Sequence, residues 1–107
     1  MKRIVAIGGG GFMMEPGPSA LDEYVLGLAR AHRPRVCFVP TASGDAEKHL
    51  AKYYADFARF RAELSHLAFF RKAMPGAIPL DRIEQRLREQ DVIYVGGGNT
   101  RSMLAVW

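Results

Sequence analysis

A chain of 107 residues holds one domain at most. Nearly half of the residues are apolar and 24% are charged, which excludes a disordered chain, and no apolar run approaches the roughly 20 residues that a membrane helix needs. The net charge of +4 arises from Lys and Arg interspersed with Asp and Glu, as in Glu47-Lys48 and Lys52 with Asp56, so a solvated surface is expected rather than a nucleic-acid interface.

Ile4 to Ile7 is a short β-branched run leading into Gly8-Gly9-Gly10-Gly11, and it reads as a strand that ends in a loop. Its apolar part is too short for a signal peptide. The loop continues through Pro16-Gly17-Pro18, after which Ser19 is a helix cap with Asp22 three residues on. Leu21, Tyr24, Val25 and Leu28 recur at spacings of three and four and predict one buried stripe. Pro34 closes that helical region. Val36-Cys37-Phe38-Val39 is the second strand, and its lone cysteine has no disulfide partner, which fits a small core residue and a cytoplasmic location.

After the loop Pro40 to Asp45, a helix reaching about Glu63 places Leu50, Tyr53, Tyr54, Phe57, Phe60 and Leu64 on one face. A third strand over Ser65 to Phe70, a loop over Arg71 to Pro79 and a short helix through Leu80, Ile83 and Leu87 follow. Val92 to Val95 is then a fourth strand running into Gly96-Gly97-Gly98, with Asn99 or Thr100 capping a last helix about two turns into which the chain stops, at Trp107. Apolar strands separated by helices predict an α/β fold: a parallel sheet with helices on both faces and strand order 3-2-1-4. In that order the glycine loops 8–11 and 96–98 face each other across a crevice, with Gly9 and Gly10 lining it.

The motifs exclude several chemistries. The dinucleotide pattern G-x-G-x-x-G fails at Met13 or Met14, and no phosphate-loop lysine motif occurs. His32, His49 and His66 lie on different elements without partner ligands, so no metal is expected and the three read as surface or edge histidines. No cofactor is expected either. Ser43, in T-A-S-G-D, lacks the first glycine of a nucleophile elbow and reads as a loop hydrogen-bonder. The run Gly96-Gly97-Gly98-Asn99-Thr100 offers free backbone N–H groups suited to a carboxylate or a developing oxyanion; by spacing alone, a simple tight turn explains it equally well.

IVAIGGGGF at 4–12, VCFVPTASGD at 36–45 and DVIYVGGGNTRSMLAVW at 91–107 together resemble the N-terminal half of the peptidase E-like serine peptidases, the dipeptidase E group related to cyanophycinases. The resemblance implies a partial class I glutamine amidotransferase-like (flavodoxin-like) three-layer sandwich, with residues 1–107 as the N-terminal part of a longer catalytic domain. It also implies cleavage of short peptides, with Asp-X dipeptides as the best-known substrates. The serine nucleophile, histidine and acid would follow Trp107, so no catalytic residue is expected in this chain. Gly97 and Gly98 are carried over as backbone donors to the oxyanion, and Asn99 as the residue orienting the turn or the substrate. The alternatives are a non-catalytic module for small anions, or an assembly half. In the second, Met103, Leu104 and Trp107 would pair with a copy of the chain or with a C-terminal fragment.

Overall fold

The computed structural model describes residues 2–8, 11–16, 19–70 and 75–107. Three strands, β1 (Arg35–Val39), β2 (Glu63–His66) and β3 (Val92–Val95), form a parallel sheet in the order β2-β1-β3. Val36 pairs with Leu64 on one side and with Val92 on the other. The register at the start of the sheet is pinned by Asp91, whose N–H donates to the Arg35 carbonyl while its carboxylate accepts from the Arg35 N–H, both at 2.8 Å.

Alternation along β1 divides the core between the two faces. Val36 and Phe38 point to one side, where Leu26 of α1 (Ala20–Leu28) and Leu50, Tyr53 and Phe57 of α2 (Glu47–Phe57) close over them. Phe12, delivered by the loop before α1, sits at the centre of that cluster, 5.3 Å from the Phe38 ring and 5.2 Å from Phe57. Cys37 and Val39 face the other way, against Leu67, Ile78 and the half-buried Ile83 and Leu87 of α3 (Ile83–Arg88). Burial there pushes the Cys37 thiol up to about 11, consistent with an inert core residue. Helices therefore cover both faces of a parallel sheet, as the sequence pattern predicts.

Four expectations are corrected. Lys2 to Ile7 forms no strand: Ile4 is 98% exposed and Val5 lies at the surface. The place predicted for it is closed, because β1 pairs directly with β3 and its other edge is taken by β2. In predicted numbering the observed order is thus 3-2-4 rather than 3-2-1-4. Second, α2 ends at Phe57 and β2 begins at Glu63 instead of Ser65. Glu63 N–H donates to the Pro34 carbonyl, so pairing with β1 takes Leu64 from the predicted helix face. Third, Leu21 and Tyr24 are exposed and α1 buries Leu26 with the cap-bound Asp22 instead. Fourth, His66 is buried rather than a surface histidine, because Tyr54 Oη lies 2.6 Å from its Nδ1.

Candidate active site

The glycine turn leaves the C-terminal end of β3 beside the end of β1, the end of a parallel sheet at which ligands gather. Gly96 is held first: its N–H donates to the Val39 carbonyl at 3.1 Å, and a Cβ there would press on the Phe38 ring at 3.0 Å. Asn99 is held last. Its N–H donates to the Ala42 carbonyl at 2.6 Å, and its side-chain Oδ1 accepts from the Ser102 N–H at 3.0 Å, capping α4 (Thr100–Val106). Gly98 approaches the same carbonyl so closely that a Cβ would stand 2.2 Å from it; its φ of +148° also belongs to the region that favours glycine.

Between these fixed points, Gly97 and Gly98 are exposed, and among the described residues neither N–H has an acceptor within the chain. Two adjacent unpartnered donors between two anchored ones can receive a negatively charged oxygen.

The turn opens onto a groove of about 1320 Å³ that runs along β3 and is also lined by Ile4, Val5, Val25, Leu28 and His49. Ile7, Met13 and Met14, which flank the first glycine loop, line it too. Gly9 and Gly10 themselves lie outside the described residues. Burial, and then the charge of Lys48, hold His49 below the ordinary imidazole value. Tyr94, on β3, is raised by burial and by the nearby Asp22 and Glu15 carboxylates.

Each serine has a structural setting. Ser19 caps α1 in a full capping box, Ser43 Oγ donates to the Pro40 carbonyl at 2.9 Å, Ser65 Oγ donates to the Val36 carbonyl, and Ser102 lies within α4. Among the described residues no serine hydrogen-bonds a histidine, and no group of His, Cys, Asp or Glu could hold a metal ion. Among the described residues no helix is long and apolar enough to cross a membrane.

The Thr41–Ser43 turn is the part of the site that sequence reasoning missed. A single 3-10 turn, it carries both the Ala42 carbonyl and the buried Thr41 hydroxyl, which accepts from Trp107 Nε1 at 3.3 Å. Its signal was the P-T-A-S-G-D run itself, but nothing in local spacing says that residues 41–42 meet residues 98–107.

The glycine turn thus lies at the C-terminal end of a parallel α/β sheet, and the chain belongs to peptidase family S51, which matches residues 4–107. It is similar to the uncharacterized peptidase YgaJ of Bacillus subtilis (strain 168), with 44% identity over all 107 residues. Those residues correspond to 44% of the relative, so the chain spans less than half the length of the curated protein it matches. No solved structure gives a significant match.

Proposed function

We propose that this chain provides the oxyanion-receiving side of a serine peptidase that hydrolyses short peptides, Asp-X dipeptides among them. The observation that carries this reading is the pair of N–H groups at Gly97 and Gly98, without acceptors among the described residues and clamped on either side, in a member of a peptidase family. The serine nucleophile, its histidine and its acid belong to sequence beyond residue 107. The serine attacks the peptide carbonyl, and the carbonyl oxygen gathers negative charge opposite Gly97 and Gly98. Each such donor contributes roughly 3 kcal/mol to the transition state. Asn99 fixes the turn's exit through its cap to Ser102. The reading needs no metal or cofactor, and the lone cysteine, Cys37, is in keeping with a cytoplasmic location.

The test compares two proteins. The 107-residue chain, pure and of confirmed mass, leaves Asp-X dipeptides intact, whereas the longest open frame containing it hydrolyses them through a serine in a G-x-S-x-G turn. Hydrolysis by the short chain, or a longer protein without serine-dependent cleavage, would overturn the proposal. The same free N–H pair favours a second reading, a non-catalytic module for small anions. Saturable binding of aspartate by the short chain, with no turnover by the longer protein, would select it.

A further inference from the structure

We propose that Thr41 is a positioning residue for the glycine turn, acting through Trp107 and the neighbouring Ala42 carbonyl. The N-cap residue Asn99 has its N–H bound to Ala42 O at 2.6 Å, and Trp107, two turns further on, has its indole N–H bound to Thr41 Oγ1 at 3.3 Å. Two consecutive residues of one turn thus hold the helix at its N-cap and again two turns, about 10 Å, further on.

The turn itself is stiff. Ser43 N–H and Asp45 N–H both donate to the Pro40 carbonyl, Gly44 N–H donates to that of Thr41, and Gly44 supplies the left-handed residue that closes it. Asp45 then ties the turn to the segment after β2, since one of its buried carboxylate oxygens accepts from the N–H groups of Phe69 and Phe70. Thr41 is fully buried, so its hydroxyl has no solvent alternative to the indole. With Gly96 N–H fixed on Val39 and Asn99 N–H fixed on Ala42, the direction of the two N–H groups between them follows from where residues 39–42 stand.

The effect on rate rests on the peptidase reading; the effect on the turn does not. Hydrogen exchange of the Asn99 amide is therefore measured in the 107-residue chain, and kcat and KM in the longer protein. Thr41→Val keeps the shape and removes the acceptor. It should speed Asn99 exchange roughly five- to tenfold, the factor carried by one net hydrogen bond, and lower kcat about tenfold with KM unchanged. Thr41→Ser, which keeps the hydroxyl, should restore both. Trp107→Phe, at an exposed position, should match Thr41→Val and carries the test should that variant fail to fold. Unchanged Asn99 exchange, a change in KM alone, or a serine variant as impaired as the valine variant would overturn the proposal. A longer wild-type protein without peptide hydrolysis would remove the peptidase reading, and the exchange result would then decide the positioning role alone.

Discussion

A Cβ on Gly98 would stand 2.2 Å from the Ala42 carbonyl oxygen, whereas one on Gly97 would meet nothing within 4 Å. Gly98→Ala is therefore expected to cost about 1–3 kcal/mol from backbone strain and displacement of the Ala42 contact, and Gly97→Ala less than about 0.5 kcal/mol. Urea midpoints of the two variants measure the difference, and equal midpoints would contradict the placement of the turn. His66 supplies a pH dependence. Burial lowers its pKa from the ordinary 6.5, with Asp45 opposing the shift, so the unfolded chain takes up the proton more readily. The stability associated with neutral His66 is full above 6.5 and declines as the pH falls below it. His49 is lowered in the same direction but is more open to solvent, so it adds less. Urea midpoints should fall between pH 7.5 and 5.5, and His66→Gln should flatten that fall; identical slopes would assign the dependence elsewhere.

At the level of elements, Phe12 shows how a loop can be anchored without regular structure of its own. Its ring meets Phe38, Tyr53, Phe57 and Tyr94 at centroid distances of 5.2–5.9 Å and is fully buried. Phe12→Ala should cost about 3–5 kcal/mol, a large part of what a domain of this size possesses. A thermal melt lowered by only a few degrees would mean that the loop is not part of the core. Arg35–Val39 and α2 were legible because a run of β-branched and aromatic residues and a 3.6-residue period are local signals. The Ile4–Ile7 strand was not decided locally. The place predicted for it, between β1 and the last strand, is taken because β3 pairs directly with β1.

Over the whole molecule, several large apolar side chains are left exposed. Ile93 and Val95, on the α3 face of β3, are 48% and 47% exposed, and Leu104 and Trp107 of the last segment are 62% and 57% exposed. A free parallel edge flanked by such residues invites association with another copy or with a complementary C-terminal fragment. The chain alone is expected to sediment above its monomer mass of 11.9 kDa as concentration rises, and Ile93→Lys to return it toward that mass. A concentration-independent monomer would show that this face needs no partner.

Composition, the period of each segment and the glycine runs were enough to determine a parallel α/β chain, the capping of the first helix by Ser19, a last helix beginning at Asn99 or Thr100, and a glycine turn at the end of the last strand. These depend on contacts within a few residues, which the order of residues specifies directly. Tertiary structure decided which strands are neighbours, that His66 is buried against Tyr54, and that Thr41 and Ala42 hold α4 while, among the described residues, no acceptor meets the N–H groups of Gly97 and Gly98. Each of those outcomes is a competition for partners between distant segments. It is settled by which pairing buries the most apolar surface while satisfying the backbone, and no local period records the result.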